Sequence, residues 1–245
     1  GTLLAGNLSN TWEYDPDDPR KSAEVCRSMF REQVGWIRKA GADFVIAETF
    51  SHLGEAEIAL EEIKSAELPA VITYIPVRDK TCDGHDWSDA CRALEDKGAE
   101  VVGLNCGRGP DTMTPLLETI RKAVKCHVAA LPVPYRTDPG HKSFFELKKA
   151  DGGVAFPLAL DPFLHDRFEM ADFAVRARDM GVNYLGVCCG GAPHHLRSMA
   201  EALGREAPAS EYSADMDLHP VFGKSAELRN KICWLGEGEG EEEES

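Results

Sequence analysis

A parallel α/β fold is the class this sequence predicts, and two observations predict it. Apolar, β-rich runs alternate with amphipathic helical stretches at a spacing of about thirty residues. The strands are near-continuous apolar runs, the pattern of strands buried on both faces beneath helices. In order, LLAGNLS (3–9) precedes a helix near 20–40, FVIAET (44–49) one near 54–66, and AVITYIPV (70–77) one near 86–98. VVGLNC (101–106) then precedes a helix near 111–125, HVAALPVP (127–134) one near 165–181, and YLGVCC (184–189) one near 193–203. That makes six βα units. The connection over 135–164 is far longer than an ordinary βα loop, so it is expected to be a lid or binding segment at the end of the sheet where such folds keep their chemistry. Beyond residue 204 the pattern stops: PASEYSADMDLHPVFG is turn-rich, a short helix is expected around 225–234, and the tail GEGEGEEEES carries six glutamates in ten residues.

The chain has 245 residues, 43% of them hydrophobic, which supports a sizeable core. Its net charge of −15 argues against nucleic acid, whose phosphates it would repel. No apolar run approaches the roughly 20 residues that span a bilayer, and the start GTLLAGNLSN lacks the basic region and long apolar stretch of a secretory signal. Neither a membrane nor secretion is expected. Eight cysteines at long, irregular spacings do not read as a disulfide scaffold, and they fit a reducing compartment, here expected to be the cytoplasm.

Three of those cysteines carry chemistry. Cys106 ends VVGLNC, and Cys188 and Cys189 end YLGVCC; each follows an apolar run and precedes a glycine-containing turn and a helix. All three thiols should therefore project from C-terminal strand ends. A zinc ion held by three thiolates keeps one tetrahedral position open, the pattern of a catalytic rather than a structural site. Buried apolar cysteines are the plainer alternative. A vicinal Cys188–Cys189 disulfide ranks last, because its ring is strained and Cys106 would have no role. Glu48, after FVIA at another strand end, is either a substrate contact or a partner for a neighbouring helix N-terminus. Asn105 should point opposite to Cys106 and support the site by hydrogen bonding. Gly103, Gly186 and Gly190 are expected to allow close backbone approach, while Cys26, Cys82, Cys91, Cys126 and Cys233 are expected to be packing or surface thiols.

The segments LNC at 104–106, GVCCGG at 186–191 followed by P-x-H-L-R at 193–197, IAETF at 46–50 and PASE…DMDLHP over 208–220 resemble those of the zinc-dependent homocysteine S-methyltransferases. The resemblance is closest to the betaine–homocysteine branch and extends to about residue 220. It implies a TIM-type (β/α)8 barrel of which the six units here are the third to the eighth. It further implies Zn2+ on Cys106, Cys188 and Cys189, with Glu48 holding the amino group of homocysteine and Asn105 beside it. His195 becomes a structural histidine rather than a ligand. The implied reaction moves a methyl group from a small onium donor, betaine first and S-methylmethionine second, to the homocysteine thiol. Its partners are those small molecules, with a homo-oligomer in the full-length form.

The chain also departs from the family. The Asp-Gly strand end and the donor-binding aromatics expected upstream do not occur, and Thr49 stands where the betaine branch carries tyrosine. The expected organisation is an N-terminally incomplete homocysteine-binding barrel domain over 1–204, a C-terminal arm over 205–235 and a disordered acidic tail over 236–245. Two exposed parallel edges should then leave the chain marginally stable and prone to self-association. A barrel remnant that keeps the metal site without catalysis is the reading from a different class.

Overall fold

The sheet is built from six short parallel strands taken in chain order, each followed by a helix: β1 (Ala5–Leu8), α1 (Pro19–Lys39), β2 (Phe44–Phe50), α2 (Leu53–Ser65), β3 (Ala70–Tyr74), α3 (Trp87–Asp96), β4 (Val101–Asn105), α4 (Pro110–Ala123), β5 (His127–Leu131), α5 (Arg167–Met180), β6 (Tyr184–Leu185) and α6 (Pro193–Ala202). This is a computed structural model; it describes residues 2–219, 221, 223 and 224. The expected helix at 225–234 and the acidic tail lie outside the described residues. The chain divides into two compact units, Gly1–Arg205 and Glu206–Ser245. Within the second, short 3-10 turns form at Pro208–Tyr212 and Met216–Leu218.

Neighbouring strands pair in register from Ala5 opposite Phe44 to Ala130 opposite Leu185, every pair parallel. Strand alternation then sorts the side chains. Leu8, Val45, Ala47, Ile72, Tyr74, Val102, Leu104, Val128 and Ala130 join the main core beneath the helices. The alternate residues Asn7, Ile46, Glu48, Thr73 and Asn105 therefore face the concave inner side. A Cβ at Gly6 would sit 2.2 Å from Ile37 of α1, which confirms that this face of β1 meets its helix. Among the described residues the six units form an open sheet: β1 and β6 are each paired on one edge only, and the barrel is not closed.

The helices lie where their apolar periodicity predicts them. In α1, Ser22, Cys26, Phe30 and Val34 recur at i+4 and are buried, while Arg27 and Arg31 reach across to Glu61 and Glu62 of α2. Helix α5 opens with a reciprocal capping box between Asp166 and Glu169, and stops at Gly181, whose φ of 94° suits glycine.

Three strands end three or more residues before their apolar runs do, and proline explains each. The predicted 70–77 strand ends at Tyr74, before Pro76, and the predicted 127–134 strand ends at Leu131, before Pro132 and Pro134. The predicted 184–189 strand is reduced to Tyr184–Leu185. Gly186 N–H still donates to Ala130 O at 3.2 Å and Cys188 N–H to Pro132 O at 2.9 Å, but Pro132 and Pro134 have no N–H to donate in return. One half of the ladder survives. The long 135–164 connection folds back as a small core of its own: Val133, Phe144, Leu147, Ala155 and Leu160 cluster with Cys106, with Tyr135, Phe145 and Cys188 against them.

Candidate metal centre

The turn after β4 aims Cys106. Its N–H donates to Leu131 O at 2.9 Å, so the residue still hangs on β5, yet its φ is 57°. A side chain other than glycine is held in that left-handed region only when its surroundings enforce it, and such strain gathers at functional sites. Arg108 enforces it here. The Arg108 N–H bonds Cys106 O, and its buried guanidinium ties Pro76 O, Arg78 O and Asp79 of the next loop to the same turn. At the end of β6, the turn closes by Gly191 N–H to Cys188 O at 2.8 Å, with Gly190 at φ 86°. A Cβ at Gly190 would meet the Tyr135 hydroxyl at 2.3 Å, so the tyrosine ring closes over this turn.

These turns bring the three sulfurs together. Cys106 and Cys189 are 3.7 Å apart, Cys188 and Cys189 4.0 Å, and all three sulfurs lie within 4.8 Å of one another. Among the described residues this is the cluster of potential metal ligands. The thiols also share their protons unequally. The nearby Cys106 thiol brings the Cys188 thiol down, against the burial that opposes its charge, while the short sulfur contact of Cys106 itself is to Cys189. The proximity of Cys188, followed by burial and the charges of its neighbours, drives Cys106 far up; burial and the charge of Cys188 raise Cys189. The spacing fits a metal: tetrahedral zinc with Zn–S bonds of about 2.3 Å sets its sulfurs about 3.8 Å apart.

Glu48 points into the concave side beside this cluster. Its Oε1 accepts from Asn7 Nδ2 at 2.8 Å and its Oε2 from Asn105 Nδ2 at 3.1 Å. The alternative role as a helix partner is occupied by another residue: the first N–H groups of α2, on Leu53 and Gly54, are both bound at 3.0 Å by the two oxygens of Asp83. Asn105 is fully buried and bridges the two halves of the site. Its Oδ1 accepts from Thr49 N–H and Thr73 Oγ1, each at 2.8 Å, and its Nδ2 also approaches Cys188 Sγ at 3.9 Å. Thr49, like Cys106, has a left-handed φ, here 65°.

Among the described residues, the other cysteines and histidines do not join the cluster. His195 is buried with Nδ1 accepting from Ala192 N–H and Nε2 facing His165 O, both at 3.1 Å, which leaves neither nitrogen for a ligand. Cys26 and Cys91 are core residues, Cys126 is half-buried and pushed up to about 11 by burial and then by Glu95, and Cys82 is exposed. Cys233 lies outside the described residues. Asn7, Thr73 and Tyr135 were not singled out from the sequence. A signal existed for the first two, since each is a polar residue on the inner alternation of an apolar strand.

Residues 2–203 match the sequence profile of the homocysteine S-methyltransferases. The chain is 32% identical to the betaine–homocysteine S-methyltransferase 1 of Xenopus laevis over 235 residues, covering 94% of this chain and 56% of the relative. It is 31% identical to the S-methylmethionine–homocysteine S-methyltransferase of Pongo abelii, covering 89% of this chain and 61% of the relative. The chain thus spans little more than half the length of these relatives. Among solved structures, the apo form of the homocysteine methyltransferase MmuM from Escherichia coli superposes with a TM-score of 0.60 at 18% identity, over 82% of this chain and 63% of that one. A metallated form of MmuM gives 0.59 at 19% identity, over 82% and 62%. The sequence match, with the strand-end thiols that it encompasses, establishes that the chain belongs to the homocysteine S-methyltransferase family.

Proposed function

We propose that Cys106, Cys188 and Cys189 hold one Zn2+ and that the protein transfers a methyl group from a small onium donor to the thiol of L-homocysteine. The observation that carries this reading is the sulfur triad, whose spacings of 3.7 and 4.0 Å match those of a tetrahedral thiolate site with one position left for a substrate sulfur. Zinc bound there supplies the charge that keeps an incoming thiol deprotonated at neutral pH.

The chain's own residues do the rest. Glu48, presented by β2 on the same concave face, anchors the ammonium group of homocysteine, while Asn105 holds that carboxylate at a fixed distance from Cys188. The aromatic segment of Tyr135, Phe144 and Phe145 packs against Cys106 and Cys188 and shields that side of the site, while Cys189 stays exposed. In the transfer, the new sulfur–carbon bond forms as the methyl's bond to the donor's onium atom breaks, and that atom keeps the electron pair, as a tertiary amine from betaine or a thioether from S-methylmethionine. Attack of an anion on a cation discharges both partners, which a dry site favours. Betaine is the donor we favour and S-methylmethionine the next, since named users of both are among the relatives at similar identity. The setting is a cytoplasmic one.

Elemental analysis and calorimetry test this. Protein prepared without chelator is expected to carry one zinc, lost in Cys106→Ala. Glu48→Ala is expected to keep the metal and to weaken L-homocysteine binding about ten- to a hundred-fold, the scale of one hydrogen bond to a charged group. Full zinc in Cys106→Ala, or unchanged homocysteine affinity in Glu48→Ala, would remove these residues from their roles. The open sheet supports a second reading, in which the chain binds zinc and thiol without turnover. Methionine formed from homocysteine and betaine by the zinc-loaded chain decides between the two.

A further inference from the structure

Glu48 is clamped from both sides. Each of its oxygens accepts one side-chain amide N–H, from Asn7 on β1 and from Asn105 on β4. The two clamps are built differently. Asn105 is buried, and its amide makes four contacts: Oδ1 accepts from Thr49 N–H and Thr73 Oγ1, and Nδ2 faces Glu48 and Cys188. Two donors on Oδ1 fix which way the amide faces, so Nδ2 is oriented toward the carboxylate and the sulfur. Asn7 makes one contact, to Glu48, and lies exposed on the inner side of β1, the edge strand of the sheet. A carboxylate oxygen has room for a further donor beyond the one it already accepts.

Resting on the reading of Glu48 as the ammonium anchor, we propose that Asn7 is a positioning residue that selects amino thiols. Asn7 holds Glu48 Oε1 against β1 while Asn105 holds Oε2 at the thiol cluster, so the carboxylate spans a gap of fixed width between the amine subsite and the sulfurs. A ligand gains from this arrangement only if it carries both a thiol and a cationic amine at the matching distance. The clamp adds no affinity for a thiol without the amine. Asn105 serves the same carboxylate but also faces a metal ligand and the core, so its removal mixes several effects. Asn7 touches neither sulfur nor core and isolates the amine term.

The test uses the zinc-loaded chain, with calorimetric titration of L-homocysteine and of its desamino analogue mercaptobutanoate. The parent protein is expected to prefer homocysteine by about ten-fold or more, the scale of a hydrogen bond to a charged group. Asn7→Ala is expected to lower homocysteine affinity several-fold, up to about ten-fold, and to leave mercaptobutanoate affinity and zinc content unchanged. Asn7→Asp keeps the size of the side chain but places an acceptor against Glu48 Oε1, and is expected to lose at least as much discrimination as the alanine variant. A purely structural role would let the near-isosteric aspartate behave as the parent does. Equal discrimination in the parent and both variants overturns the proposal while leaving Glu48 as the anchor. A parent protein that binds both thiols equally overturns the anchor reading, and this inference with it.

Discussion

Asp83→Ala removes the carboxylate that starts α2. The two oxygens of Asp83 accept from Leu53 N–H and Gly54 N–H, each at 3.0 Å, and so satisfy two of the four N–H groups that a helix start leaves open. His52 at the N-cap of the helix makes no side-chain capping bond of its own. Burial works against the charge of Asp83, but the bonds from Gly54, Thr81 and Leu53 together outweigh it and hold the carboxyl below its usual range. A hydrogen bond to a charged group contributes about 1.5–3 kcal/mol, and loss of a cap costs about 0.5–2 kcal/mol. Asp83 is half-buried, so water screens part of its charge and replaces part of each bond. We therefore expect a loss of about 2 kcal/mol at pH 7, seen by calorimetry as a fall of about 4–8 °C in Tm for a chain of this size. The sign of the pH dependence follows from the depressed folded-state value. The stabilisation is complete above the unfolded carboxyl's pKa of about 3.9 and fades as pH falls through the lower folded value. The difference between parent and variant should accordingly shrink by pH 3. A loss under about 0.5 kcal/mol, or one of equal size at pH 7 and pH 3, would refute the charged-cap argument.

Other perturbations probe the frame around the thiols. Gly103→Ala would put a Cβ 2.0 Å from Ala129 O, which is backbone of the paired strand, so β4 must leave β5; a loss of about 3 kcal/mol or more and reduced zinc content are expected, and parent-like stability and metal content would contradict this register. Glu169→Gln removes a carboxyl whose burial is outweighed by Arg136, the Asp166 N–H and His165, holding it to about 2. With Arg136 and Glu169 both more than a third exposed, a cost of about 0.5–1 kcal/mol is expected above pH 5; it should vanish as pH falls toward 2, and a urea midpoint difference that persists there would show that packing, not charge, is responsible. Arg108→Lys keeps a cation but cannot make the three carbonyl contacts of the guanidinium at Pro76, Arg78 and Thr112. The Cys106 turn should loosen, and zinc affinity measured by chelator competition should fall about ten-fold, the scale seen when groups supporting metal ligands are changed; unchanged affinity would mean that the turn holds without it.

The parts of this fold that were legible in the sequence are those set by local periodicity. Ser22, Cys26, Phe30 and Val34 mark α1 by their spacing alone, and the six apolar runs each mark a strand. Strand ends were less legible. Apolar residues continue through Ile75 to Val77 and through Val133 to Pro134, and only the missing N–H groups of Pro76, Pro132 and Pro134 stop the ladder. Cys106, Cys188 and Cys189 could be read because the end of a parallel strand is itself a position in space, so three separate segments converge without any contact being known. Asn105 was expected to support the site by hydrogen bonding from the face opposite Cys106; its contacts to Glu48, Thr49 and Thr73 give that support its form, but Asn105 and Cys106 both reach Cys188, because the left-handed φ of Cys106 breaks the strand alternation. Asn7 and Asp83 could not be assigned this way. The first acts on a carboxylate 41 residues away and the second caps a helix start 30 residues away, and neither position follows from a local pattern.

The central claim, that three thiolates form a metal site with one position for a substrate thiol, is met most directly by zinc K-edge X-ray absorption on the zinc-loaded chain. Three sulfurs at about 2.3 Å are expected before L-homocysteine is added, and four after it. A count below three before addition, or a sulfur count that homocysteine does not raise, would contradict the account.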